Sequence, residues 1–323
     1  MNGNAFSHGI IFDGNGGAKK ISFEQLDEYT PSMGILWVHF DYTQEQSIDW
    51  ITNKSNIDPI AVDALLSQTT RPRTTILKNS LILALRGINL NPNSDPEDMI
   101  SIRLYINENI IISTKKRDLL SVNDMLLFFE QGIGPKNSSE FLIELTNRLT
   151  DRMEDYILDM DDRYSDLEEL SIQSSSAKLR TSISEIKRES ISLKRYLSPQ
   201  KEAIFKLYDQ KISWINEHDR IQLREINHKL IKYIEDLDSI KDKVSLIQEE
   251  ISNNLSEQLN QRMYVLSIIS AIFLPLGFLT GLLGINVGGI PGAEYSFSFY
   301  IFIIFLIVIV ALQIYVFKKK RWL

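Results

Sequence analysis

The 323-residue chain contains no cysteine and only four histidines, His8, His39, His218 and His228. Without thiols there are neither disulfides nor thiolate metal ligands, so any binding of a soft metal has to rest on imidazole and carboxylate. Basic residues are in deficit, with 35 Lys and Arg against 42 Asp and Glu, a formal charge of −7. A nucleic-acid partner requires a basic stripe and is not expected. No Gly-x-x-x-x-Gly-Lys loop occurs, which removes the usual cradle for ATP phosphates. The glycine-rich Asp13-Gly14-Asn15-Gly16-Gly17 lacks the strand–helix context of a nucleotide site and reads as a turn. No catalytic constellation competes, so an enzyme is not expected, and no cofactor is implied. Met1–Gly17 also lacks the charged start and apolar run of a signal peptide, so the polar part of the chain is expected in the cytoplasm.

Charge is missing from two long apolar stretches, 263–283 and 295–317, joined by Gly284-Ile285-Asn286-Val287-Gly288-Gly289-Ile290-Pro291-Gly292. A helix crosses a hydrocarbon core in about 20 residues, and each stretch is long enough. A lipid bilayer is therefore an expected partner. Residues 263–323 hold Glu294 and Lys318, Lys319, Lys320 and Arg321, a charge of +3 that leaves −10 for the first 262 residues. Positive residues flank membrane helices on the cytoplasmic side, so both termini are expected inside, with the glycine-rich turn and Glu294 outside. An acidic cytoplasmic part attracts cations.

The first 137 residues read as a mixed α/β domain. Strand-like runs fall at Gly34–Phe40, Ser80–Ile88, Ser101–Ile106 and Asn109–Ser113, and helical patterns at Gln44–Lys54, Pro59–Leu66 and Ser121–Gln131. From Ser138 the chain reads as helix only, with boundaries expected at Ser171–Ser176 and at Leu197-Ser198-Pro199. That gives an acidic helical segment over 138–200, a stalk helix over 201–262 and a membrane hairpin over 263–323. Long helices are expected at about 139–170, 177–196 and 201–283, the last with a break near His218. Positions 223, 226, 230, 233, 237, 240, 244, 247 and 251 hold Leu, Ile, Leu, Tyr, Leu, Ile, Val, Ile and Ile, a three-four alternation that marks a coiled-coil-like seam.

The opposite stripe of the same helix differs. Toward the membrane it reads Asn260, Met263, Ser267, Ser270, Leu274, Gly277, Gly281 and Gly284; along the stalk it includes Glu249, Asp242, Glu235, Lys232, His228 and Glu225. An unsatisfied polar group facing lipid is costly. Copies packed round an axis would turn this stripe onto a water-filled path and each acidic position into a ring of charge, as cation channels use. Two other readings stay open. Gly277-x-x-x-Gly281 and Gly284-x-x-x-Gly288 fit close helix packing, and the acidic stalk positions fit a solvated face.

Gly284-Ile285-Asn286, Pro275 in the first span, the short outer loop and the terminal Lys318-Lys319-Lys320-Arg321-Trp322-Leu323 together resemble the CorA family of divalent-cation transporters. Ile285, Val287–Gly292, Thr70-Arg71-Pro72-Arg73, Leu83–Asn91 and Asp95–Arg103 look like its zinc-transporting ZntB branch. The resemblance implies a homopentamer in a bacterial inner membrane. Its α/β/α cytoplasmic domain would be followed by acidic helices, a long stalk helix forming a funnel, and two C-terminal membrane helices. The acidic helices correspond to Asp151, Glu154, Asp155, Asp159, Asp161, Asp162, Asp166, Glu168 and Glu169.

On this resemblance Asn286 forms an amide ring at the outer mouth that accepts a hydrated dication, and Gly284 lets backbone carbonyls approach the axis. Glu294 concentrates cations outside. Met263 and Leu274 form apolar constrictions, Asn260 an inner polar ring, and Glu249, Asp242, Glu235 and Glu225 draw the ion inward. For a metal site, Glu225 and His228, three residues apart on a helix, are the weak candidates. Zinc as cargo rests on resemblance; Mg2+, Co2+ or Ni2+ suit an oxygen-lined path equally, with protons a possible coupled species. From a different class, a non-conducting membrane-anchored coiled-coil scaffold also fits the residue pattern.

Overall fold

Phe6–Phe12 and Ala18–Ile21 pair as an antiparallel hairpin, β1 and β2, across the glycine-rich turn. Asp13 closes that turn, its Oδ1 accepting the N–H groups of Asn15 at 2.7 Å and Gly17 at 3.0 Å. Gly14 and Gly16 take the left-handed conformations the turn requires, with φ of 75° and 105°. The structure is a computed structural model that describes residues 6–173, 176–284, 290, 292 and 294–320. The chain divides into two compact units, Met1–Gln248 and Glu249–Leu323.

In the N-terminal unit, β3 (Leu36–Asp41), β4 (Arg73–Leu77), β5 (Ser80–Gly87), β6 (Ile100–Ile106) and β7 (Ile110–Lys115) complete a seven-stranded sheet of order β2-β1-β3-β7-β6-β5-β4. Only β3 and β7 run parallel; the other neighbours are antiparallel. One face buries Val38, Phe40, Ile82, Tyr105 and Ile112 beneath α1 (Glu45–Asp49), the π-helical turn Trp50–Lys54 that continues it, and α2 (Pro59–Leu66). Asp58 caps α2 through Oδ1 and Pro59 opens it, the arrangement in which a missing N–H costs nothing. The opposite face packs on α3 (Leu120–Glu130) and α4 (Ser138–Gln173). There Trp37 lies edge-on to Phe141 at 4.7 Å and Phe12 meets Phe129 at 4.5 Å. The unit is an α/β/α sandwich.

One helix boundary differs from expectation. The helix α5 runs Ala177–Asp209 straight through Pro199. Interior proline costs about 3 kcal/mol, but Leu193, Leu197, Ala203, Ile204 and Leu207 are all buried, and each large aliphatic returns roughly 1.5–3 kcal/mol. Gln200 adds a specific anchor. Its Oε1 accepts the Arg86 N–H at 2.7 Å and its Nε2 donates to the Arg86 carbonyl at 3.2 Å, completing β5 where β4 has ended. The break expected near His218 falls at 210–216, where Ile212 and Ile215 are buried and Trp214 Nε1 donates to the Asn79 carbonyl. The next helix, α6, spans Glu217–Leu283; Asn216 and Asp219 form a reciprocal cap at its start.

All nine seam residues, Leu223 through Ile251, are buried. Within the N-terminal unit α6 is held to its neighbours by Lys229–Asp151 (2.7 Å) and Lys243–Asp161 (3.1 Å) on α4 and by Lys194–Asp238 on α5 (2.5 Å). The seam is thus spent within the subunit. In the C-terminal unit, Pro275 sits inside α6 and the second apolar helix, α7, spans Ser298–Lys319. At 1.5 Å per residue its 22 residues extend about 33 Å, enough to cross a membrane.

Candidate functional site

The stripe opposite the seam is exposed. In the N-terminal unit Glu225, His228, Lys232, Glu235, Asp242 and Leu246 are all exposed on α6. In the C-terminal unit Glu249, Asn260, Met263, Ser267, Ser270, Leu274, Gly277, Gly281 and Gly284 are exposed as well. A Cβ placed on Gly277 or Gly281 would meet nothing within 4 Å, so these glycines are not where the hairpin's two helices touch. Gly284 differs, because a Cβ there would lie 2.8 Å from the Thr280 carbonyl, to which the Gly284 N–H donates at 2.9 Å. Glu294 is exposed in the turn ahead of α7. Ile285 and Asn286, assigned to the outer mouth, lie outside the described residues.

The acidic residues separate into paired and unpaired sets. Four of the nine acids in the α4 run are paired, by Lys229 on Asp151, Lys232 on Glu154 at 3.4 Å, Lys243 on Asp161 and Arg163 on Asp159 at 3.0 Å. Lys232 is therefore engaged by α4, although it falls on the stripe. Asp242 has Lys241 beside it at 3.1 Å. Glu235 and Glu249 form no ion pair among the described residues. His228 Nδ1 stands 4.0 Å from Glu225 Oε1, both exposed, and no group of three potential metal ligands occurs among the described residues. A tetrahedral zinc site takes three or four protein ligands, which this pair does not supply.

His39 is fully buried, with Nδ1 2.7 Å from Ser113 Oγ, and its ring stacks on His8 at 4.9 Å. It is a structural residue of the sheet. One membrane residue carries no periodic signal and is not singled out by sequence. Gln313 of α7 donates from Nε2 to the Ala271 carbonyl of α6 at 3.4 Å. A lone amide in an otherwise apolar span is the available clue.

This arrangement has close counterparts. A family model described as CorA-like Mg2+ transporter protein matches residues 32–319. A protein of Pseudomonas aeruginosa named divalent cation transporter CmaX is 37% identical over 98% of this chain and 96% of its own length. A zinc transport protein ZntB of Yersinia enterocolitica is 34% identical over 89% of this chain and 86% of its own. The solved structure of full-length CmaX aligns over 100% of both chains with TM-score 0.87 and 35% identity. That of the CorA magnesium transporter from Methanocaldococcus jannaschii aligns over 98% of both with TM-score 0.82 at 14% identity, a likeness of fold. The chain belongs to the CorA family and is a divalent-cation transporter.

Proposed function

We propose that this transporter carries Zn2+ across the bacterial inner membrane along a central path lined by the exposed face of α6, in an assembly of five identical subunits. The observation that carries the reading is the two-sidedness of α6 along the stalk: its apolar seam is buried within the subunit, while Glu225, His228, Glu235 and Asp242 on the opposite face are exposed. Relatives named zinc transport proteins support the cargo. Asn286 and the Gly284 carbonyl form the outer mouth, with Glu294 concentrating cations outside. Met263 and Leu274 form apolar constrictions that gate by dewetting, and Asn260 a polar ring. Glu249, Glu235, Asp242 and Glu225 attract the ion inside. Such a path suits a hydrated ion, because water-lined carbonyl and amide oxygens spare it dehydration. Lys318 and Lys319, in the last turn of α7, support cytoplasmic termini. The working division is a cytoplasmic domain over 1–137, flanking helices over 138–200, stalk over 201–262 and membrane hairpin over 263–323.

The cysteine-free chain makes the test direct. Single cysteines at Ser267, Ser270 and Gly277 should react with a water-soluble thiol reagent and lose cation flux in proteoliposomes, whereas cysteines at Ile272 and Leu279 should do neither. Asn286→Ala should abolish flux and leave the oligomer intact. Equal labelling of both faces would refute the path. Uptake of Zn2+, Mg2+, Co2+ and Ni2+ compared in one preparation, with a pH gradient imposed in each direction, decides the cargo, and absence of Zn2+ flux refutes that part.

A further inference from the structure

Pro275 lies inside α6, and a proline has no N–H for the carbonyl four residues back. That carbonyl belongs to Ala271. In the hydrocarbon region no water is present to take its place, so the protein itself has to satisfy it. Gln313 Nε2, from the neighbouring α7, donates to the Ala271 oxygen at 3.4 Å. The side chain is turned toward α6: Gln313 is half-buried, and its Oε1 is sealed from solvent without a partner among the described residues. The opposite amide orientation would set one oxygen against another, so the donor role of Nε2 follows from the contact. At 100° per residue, Ala271 lies roughly 80° round the helix from the centre of the polar stripe. The bond therefore grips the flank of α6 and leaves the stripe free.

We propose that Gln313 is a positioning residue for transport: it supplies the donor that Pro275 lacks and keeps the ion-facing side of α6 in register on either side of the proline. This rests on the reading that the α6 stripe lines the ion path. Proline and glutamine act as one unit, the proline removing a bond inside α6 and the glutamine replacing it with a bond between the two membrane helices.

A two-by-two set of variants tests it, using the wild type, Gln313→Leu, Pro275→Ala and the double variant. The Pro275→Ala change restores an N–H to the Ala271 carbonyl, leaving Gln313 nothing to replace. In proteoliposomes, with whichever of Zn2+, Mg2+, Co2+ or Ni2+ the wild type carries fastest, Gln313→Leu should lower maximal flux roughly threefold to tenfold, the factor equivalent to one interhelical hydrogen bond. The half-saturating concentration should not change. Added to Pro275→Ala, the same substitution should have almost no effect. The thermal-unfolding midpoint of the detergent-solubilised protein should follow the same pattern, and serves as the cycle should Pro275→Ala itself be inactive. An equal loss from Gln313→Leu in both backgrounds overturns the bond. Coupling in the midpoint with unchanged flux in Gln313→Leu overturns the positioning role. Failure of the cysteine-labelling pattern along the stripe would instead tell against the ion path and leave this cycle intact.

Discussion

Acidification from pH 7 to pH 5 should destabilise the N-terminal unit through His8 and His39. The two rings stack at 4.9 Å, and His8 lies edge-on to Trp37 at 5.0 Å. Ser113 Oγ accepts from Trp37 Nε1 at 2.8 Å and lies 2.7 Å from His39 Nδ1 and 3.2 Å from the Val38 carbonyl, so the ring is held in place by a hydroxyl rather than by a charged partner. His8 Nε2 is buried with no partner among the described residues. Burial first, then the positive charge of Lys115, pushes His8 from 6.5 down to about 4. Burial first, then the His8 ring, holds His39 well below its ordinary range.

Because the folded-state pKa values are depressed, the unfolded chain takes up protons before the folded one does. Stability is therefore full above pH 6.5 and falls as the pH drops toward 4. For His8 alone the total is roughly 3 kcal/mol, of which about 2 kcal/mol is lost by pH 5, and His39 adds to it with the same sign. Asp98, held low by Arg117, and Asp238, held low by Lys194, titrate below this window and do not contaminate it. The assay is denaturant unfolding of the full chain in detergent, followed by tryptophan fluorescence at pH 7 and 5. His8→Phe keeps a ring against Trp37 and removes the titration, so its pH dependence should be smaller than wild type by about 2 kcal/mol. Identical pH dependence in the two proteins would refute the reasoning.

Gln200→Leu should cost about 2–4 kcal/mol, since it leaves both the N–H and the carbonyl of Arg86 without their partner; faster amide exchange at Arg86 would accompany the lower denaturant midpoint. Leu230→Ala, at a fully buried seam position, should cost about 2–5 kcal/mol. Lys194→Met should cost under about 1 kcal/mol, because Lys194 and Asp238 are more than a third exposed. Denaturant titrations of these two side by side would expose an error if the order were reversed.

The periodic elements are legible from sequence, and what is missed has physical causes. α2 begins and ends where its cap, its proline and its apolar spacing place it, at Pro59–Leu66. The seam stands out because nine positions repeat at one spacing. β2 and β4 are not expected because they are the two edges of the sheet, where exposure leaves the apolar alternation incomplete. β1 is disguised by Gly9, at which a Cβ would meet the Phe6 ring at 2.6 Å. Pro199 misleads because propensity is local, whereas the apolar face and Gln200 that override it act through distant residues. Gln313 escapes for the converse reason: a single polar residue has no period, and its meaning appears only when Ala271 is seen to lack a donor.

The acidic residues on α4 and α6 look alike in sequence and separate only once their neighbours are known. Asp151, Glu154 and Asp161 each have a lysine of α6 within 4 Å, and Asp159 has Arg163 of α4 itself, so the charges of these four are largely cancelled within the subunit, and three of the pairs join α6 to α4. Glu235 and Glu249 face outward with no such partner among the described residues, and their charge is left available to a mobile cation. An exposed ion pair contributes at most about 1 kcal/mol to stability, too little to account for acidic positions recurring on one stripe. An uncancelled ring facing a narrow aqueous path acts on every ion that enters it. On the proposed assembly, Asp151, Glu154 and Asp161 help hold α6 to α4, while Glu235 and Glu249 set the potential that an entering dication meets.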